Sequence, residues 1–248
     1  MLNILKKNNP LEIYWWTDVE GLAEVCPILR GHEVPPPDYW TKIPKIPDLS
    51  NVKDRGTAKN CPAIPDMWNM GYVLPLWCDT KFTFSEGGKY TIVPSDNRFS
   101  FTHHGDSQYK DHLPKKVQDA VKMVIKANCP WRVRTPEGYS MMQLPMYYHH
   151  DELFEVMPGT IWTDIHHEIN QQMVIKKHGE FILKRGHPLA AYIPFRRDNF
   201  KTIIEGPNPR NRAWDLESRT RLWTKFRFGY RMGQAEHKKK CPFHSLFQ

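Results

Sequence analysis

Apolar and polar residues alternate along much of the middle of this chain, and glycine or proline interrupts the alternation at short intervals. A period of two sends successive side chains to opposite faces, so each stretch reads as a half-buried β-strand. Tyr72-Val73-Leu74-Pro75-Leu76-Trp77 is an apolar run between Gly71 and Asp79. Lys81-Phe82-Thr83-Phe84 alternates, and Tyr90-Thr91-Ile92-Val93 returns after the turn Glu86-Gly87-Gly88-Lys89, which predicts a hairpin. The pattern is densest over 129–197. There it predicts strands at Trp131–Thr135, Ser140–Met146, Thr160–Asp164, Glu168–Lys176, Phe181–Leu183 and Pro188–Phe195, separated by turns such as Pro136-Glu137-Gly138-Tyr139. Short strands with frequent turns indicate an all-β barrel or sandwich.

Two stretches follow a helical period instead. In 114–128, Val117, Val121, Val124 and Ile125 fall on one helical face. Further on, Asp215 reads as an N-cap and Leu216–Phe228 as a basic helix. Residues 1–60 show neither period: Tyr14-Trp15-Trp16, Pro35-Pro36-Pro37 and Tyr39-Trp40 suit extended chain lying on an apolar surface. The expected organisation is a proline- and aromatic-rich arm over 1–60, a β core over 61–205 and a basic extension over 206–248.

Composition sharpens this picture in three ways. With 21 prolines among 248 residues, long helices are disfavoured. The five cysteines (Cys26, Cys61, Cys78, Cys129, Cys241) are odd in number and form no CxxC, so neither a disulfide framework nor a zinc ribbon is indicated, and small buried thiols are expected. The net charge of +8 is concentrated: residues 206–248 hold ten Lys and Arg against three acids. Arg219, Arg221, Lys225, Arg227, Arg231, Lys238, Lys239 and Lys240, interleaved with Trp214, Trp223, Phe226, Phe228 and Tyr230, are candidates for contact with nucleic acid or an acidic partner. No apolar run is long enough for a membrane span, and the N-terminus turns polar at Lys6-Lys7. A host-cytoplasmic or virion location without a signal peptide is therefore expected.

The segment Gly159-Thr160-Ile161-Trp162-Thr163-Asp164-Ile165-His166-His167-Glu168-Ile169 resembles the G-x-I-D-x-D-Y-x-G-E-I motif of trimeric dUTPases and dCTP deaminases. Phe181 to Ala191 resembles that family's f-x-I-x-x-G-x-R-I-A-Q pair of strands, and Thr135-Pro136-Glu137-Gly138-Tyr139 the turn before its P-R-S motif. The stretch 129–197 also resembles a group of tailed-phage and bacterial proteins that share W-x-x-x-T-P-x-G-Y-S and G-x-P-x-A-x-x-I-P-F-x-R. The resemblance implies a dUTPase-like β-clip, a distorted jelly-roll barrel assembled as a homotrimer, with Gly138, Tyr139, Asp164 and Gly186 at a ligand site. It does not carry the chemistry across. Trp162 stands where the family has its water-orienting carboxylate, Ile165 where it has the tyrosine that stacks on the sugar, and Pro188 where it has the arginine of R-I-A-Q. Gln143-Leu144-Pro145-Met146 offers no counterpart of the phosphate-binding arginine and serine. Pyrophosphate hydrolysis needs a metal site, phosphate donors and an oriented water.

The expectation is therefore a non-catalytic scaffold or binding protein without a cofactor, either a virion-associated (capsid- or tail-decorating) subunit or a nucleotide-binding one. The enzymatic alternatives are a divergent, Mg-dependent nucleotide pyrophosphatase and an Fe(II)/2-oxoglutarate oxygenase. The latter would use His149-x-Asp151 with His187 as metal ligands and Arg196 or Arg197 as the basic co-substrate residue. The pairs His103-His104 and His166-His167 are less suited to one ion, because neighbours on a strand face opposite ways.

Overall fold

In a computed structural model, the described residues are 11–44 and 57–224, with side chains through Arg219. The chain divides into two compact units: one of Ile13–Lys42 with Asp66–Arg197, the other of Met1–Glu12, Ile43–Pro65 and Asp198–Gln248. The first unit holds every described strand: β1 (Tyr14–Thr17), β2 (Leu29–Arg30), β3 (Tyr72–Pro75), β4 (Thr80–Phe84), β5 (Tyr90–Pro94), β6 (Phe101–His104), β7 (Met123–Ala127), β8 (Trp131–Arg134), β9 (Tyr139–Pro145), β10 (Phe154–Val156), β11 (Gly159–Ile161), β12 (Gln171–Ile175), β13 (Gly179–Leu183) and β14 (Pro188–Arg196).

The fold is mainly β, as the alternation predicts. Four antiparallel sheets run β11-β9-β14-β3-β2, β10-β12-β7-β6, β13-β4-β5 and β1-β8. These orders are linear, so the described strands close no barrel. The hairpin at 80–94 forms in the expected place, with Phe84 opposite Tyr90. The aromatic segment Tyr14–Thr17 pairs with β8 from Tyr14 opposite Arg134 to Thr17 opposite Trp131, and Leu29–Arg30 adds an edge to the five-stranded sheet.

One apolar core joins the sheets. Leu74, Met141 and Tyr192 meet Ile125, Val156 and Met173 from the four-stranded sheet, Phe82 and Leu183 from the three-stranded sheet, and Trp131 and Val133 from the two-stranded sheet. A polar bridge crosses it. The Tyr192 hydroxyl donates to Gln143 Oε1 (2.6 Å) and accepts from Gln171 Nε2 (2.7 Å), linking β14 and β9 to β12. All three side chains are buried, and a buried amide or hydroxyl is tolerated when it is hydrogen-bonded.

Three expectations about elements are corrected. The helix expected over 114–128 stops at Ala120; Val124 and Ile125 belong to β7, a strand buried on both faces, whose β-branched residues suit the pleat. The strand expected at Thr160–Asp164 ends at Ile161, and the chain turns at once, with the N–H groups of Ile165 and His166 donating to the Trp162 carbonyl (3.0 and 2.8 Å). In the second unit the C-terminal helix spans Pro209–Thr224 and starts before Asp215. Its N-cap is Asn208, whose Oδ1 accepts the Asn211 N–H at 2.9 Å, and Pro209 fills the first helical position where no N–H is needed. Asp215 lies inside the helix and pairs with Arg219.

Candidate functional site

Strands β9 and β14 pair along their length, from Ala190 opposite Pro145 to Arg196 opposite Tyr139. That register gathers the candidate residues at the two ends of one ribbon, roughly 20 Å apart at the usual rise per residue.

At the Tyr139 end the chain after β14 places Arg197 over the Pro136–Tyr139 turn, and its N–H donates to the Gly138 carbonyl (2.8 Å). Gly138 sits at φ 80°, a left-handed conformation that favours glycine. Ile161 lies opposite Met141, so the turn after β11 brings Asp164 to the same place. The Asp164 carboxylate accepts from Arg197 Nη1 at Oδ1 (2.9 Å), from Arg197 Nη2 at Oδ2, and from the Gly138 N–H at Oδ2 (3.0 Å). Arg197 Nη1 also donates to the Tyr139 carbonyl (2.8 Å) and to the buried Ser140 Oγ (2.7 Å). The Trp162 ring covers the guanidinium, 4.1 Å from its carbon to the ring centroid. Beneath, the Thr135 and Thr163 hydroxyls lie 2.8 Å apart and tie the two turns together.

The Asp164 side chain is 6% exposed. Its bond to Arg197, opposed in part by burial and reinforced by the Gly138 N–H, holds the carboxyl below the usual carboxylate range, while Asp164 raises Arg197 in turn. A bidentate Arg–carboxylate pair fixes geometry as well as charge. This arrangement clamps three pieces of backbone together. It leaves Asp164 without the accessible, unengaged oxygen that a water-orienting base needs.

At the other end β9 runs into the loop Met146–His150, which leads to β10, while His187 precedes β14. Asp151 Oδ1 accepts the Leu153 and Phe154 N–H groups (2.8 and 3.4 Å), and Oδ2 faces His187 Nε2 at 3.1 Å. Burial opposes charge on Asp151, but the bonds from His187 and the two amides prevail and keep it below its ordinary range. His149 lines the same cavity; burial first, and His187 second, push its imidazole down. The three residues are neighbours, but Asp151 is spent on His187 and on backbone. Among the described residues no group of three His, Cys, Asp or Glu side chains is placed to hold a metal ion.

The remaining candidates lie apart. Gly186 belongs to the turn before His187, where its N–H donates to the Leu76 carbonyl (2.8 Å), at the opposite end of β14 from Gly138, Tyr139 and Asp164. The next-door Arg196, offered with Arg197 as a co-substrate residue, is exposed. His103 Nδ1 bonds the Tyr90 hydroxyl (2.7 Å), and His167 Nδ1 lies 3.1 Å from the Thr163 carbonyl oxygen. Cys26 and Cys78 are buried thiols as expected, whereas Cys61 is exposed. Burial of its sulfur pushes the Cys129 thiol up to about 12. In the basic extension, Arg219 pairs with Asp215 at 3.0 Å and Arg221 lies on the same helix. Lys225, Arg227, Arg231, Lys238, Lys239 and Lys240, like Cys241, lie outside the described residues.

Arg197 and Ser140 carry the clasp, and the motif comparison with dUTPases does not point to them. The signal lies in the other resemblance: Ser140 closes W-x-x-x-T-P-x-G-Y-S and Arg197 closes G-x-P-x-A-x-x-I-P-F-x-R. No family model matches the chain, and no curated protein matches it. Among the described residues no helix is long and apolar enough to cross a membrane.

Proposed function

We propose that this chain is a non-catalytic β-sheet protein that works by binding: a divergent, β-clip-like scaffold of phage type, assembled as a homotrimer and associated with virion proteins or, through its basic extension, with nucleic acid. One observation carries the non-catalytic part. Asp164, an acidic position retained from the dUTPase motif, is nearly buried and bound to Arg197 and the Gly138 N–H. Trp162, in place of the second carboxylate, packs on that arginine. The residues that would orient water and metal in the resembled family are replaced by, or consumed in, a structural clasp. The oxygenase reading is disfavoured by Asp151, whose carboxylate is engaged by His187 and two backbone amides.

Incubation of the purified protein with dUTP and dCTP in the presence of Mg²⁺ tests this. No turnover above a protein-free blank is expected. Turnover that Asp164→Asn abolishes while the melting transition stays cooperative would overturn the reading. The assembly part is tested by mass in solution, where a trimer is expected and a strict monomer contradicts it. The nucleic-acid part predicts a shallower salt dependence of binding when Lys238, Lys239 and Lys240 are all replaced by alanine.

A further inference from the structure

We propose that the cavity at the His187 end of the β9–β14 ribbon is a binding site for a small anion, a molecule presenting one phosphate or carboxylate group to His149 and Lys176, beside His187. The cavity measures about 260 Å³ and is lined by these residues together with His150, Asp151 and Glu155. At roughly 30 Å³ per water it has room for an anionic group and a short organic body.

The choice of an acceptor-bearing ligand follows from which polar groups are already used. Asp151 is committed through both oxygens, to His187 and to two backbone amides. Glu155 lies 3.7 Å from Lys176, a loose pair on half-exposed side chains. Outside the lining, Glu152 pairs with Lys177. The acids are therefore engaged, while His149 and Lys176 keep donor capacity. The His149 ring makes no hydrogen bond among the described residues and Lys176 retains donor capacity beyond its pair, whereas His187 gives its Nε2–H to Asp151, which leaves Nδ1 of the neutral ring as an acceptor. Asp151, ionised and facing Nε2, accepts a hydrogen bond from the N–H at that nitrogen and so fixes the orientation of the imidazole. Phe154, with its ring centroid 5.8 Å from that of His187, packs against the same imidazole.

The loop is built to hold His149 still. The residues on either side of it, Tyr148 (φ 63°) and His150 (φ 51°), both adopt left-handed backbone, which is unfavourable for a residue with a Cβ. Such strain persists where the surroundings over-determine it. Here the Tyr39 hydroxyl donates to the Tyr148 carbonyl (2.6 Å), the Tyr148 ring packs edge-on against Trp68 (5.8 Å), and His150 lies against Tyr39 (5.7 Å). The two flanks are anchored to aromatics and the residue between them lines the cavity. Preorganised donors of this kind lose little freedom on binding.

Titration calorimetry and imidazole NMR of the full chain with inorganic phosphate, and separately with acetate, test the site. Saturable one-to-one binding of either anion is expected, with shifts confined to His149, His187 and their neighbours; the tighter of the two identifies the ligand's anionic group. His149→Ala, which removes a half-exposed side chain, is expected to weaken binding at least tenfold, and Lys176→Met to weaken it less. The proposal is overturned if neither anion saturates, or if both variants bind as the parent does. It is equally overturned if Fe²⁺ or Zn²⁺ binds one-to-one and is lost in the same variants, since the imidazoles would then be metal ligands. None of these outcomes bears on Asp164, at the other end of the ribbon.

Discussion

The two ends of the β9–β14 ribbon carry similar residue types and use them in opposite ways. At one end an aspartate and an arginine are bonded through both carboxylate oxygens under an indole, and the carboxylate is almost out of reach of water. At the other an aspartate orients a histidine, and a second histidine and a lysine line a cavity with donors to spare. A charged group in a sequence motif is thus ambiguous until its partners are known. Saturated, it closes backbone together; incompletely used, it marks a place for a ligand.

The contrast can be broken by substitution, and the largest stability loss is expected between the ends. Tyr192→Phe keeps the ring but strands Gln143 and Gln171 in a dry core, which should cost about 1–3 kcal/mol in chemical denaturation with an unchanged m-value. A loss near zero would show that the amides find other partners. Next comes the clasp. Asp164 titrates below its ordinary value in the folded protein, so its contribution is complete above the unfolded value of 3.8 and is lost as pH falls through the lower folded value. Arg197→Ala should therefore lower the melting temperature clearly at pH 7, and the two proteins should converge as Asp164 becomes protonated. A pH-independent gap would mean that Arg197 acts through packing alone. The smallest effect belongs to Trp162→Ala. The ring is more than half exposed and leaves the Arg197–Asp164 bonds in place, so the melting temperature should fall only slightly, and nucleotide turnover should remain absent.

Much of the fold is legible in the residue pattern because alternation reports which strand face is buried. The hairpin at 80–94 and strands β8, β9, β13 and β14 follow it. It misleads where a strand is buried on both faces: Met123, Val124 and Ile125 of β7 are all buried and show no polar face at a period of two, and with Val117 and Val121 their apolar spacing imitates a helix. It also says nothing about pairing order, which decides that Arg197 lies over Gly138 and that Gly186 does not. The site is therefore half legible. Asp164 is recognisable from its motif and His149, Asp151 and His187 from their types. The partners that decide their roles come from strands far apart in sequence, and a single chain carries no record of those contacts.

That Asp164 is half of a structural clasp can be read from a double-mutant cycle measured by thermal and denaturant unfolding at pH 7, with Asp164→Ala, Arg197→Ala and both together. If the pair acts as a unit, each single variant loses the same interaction and leaves a charge behind. The double variant should then be no less stable than the worse single one, giving a coupling outside the additive range of about 0.3–0.5 kcal/mol. Losses that simply add would show that the two residues act independently and that no clasp exists.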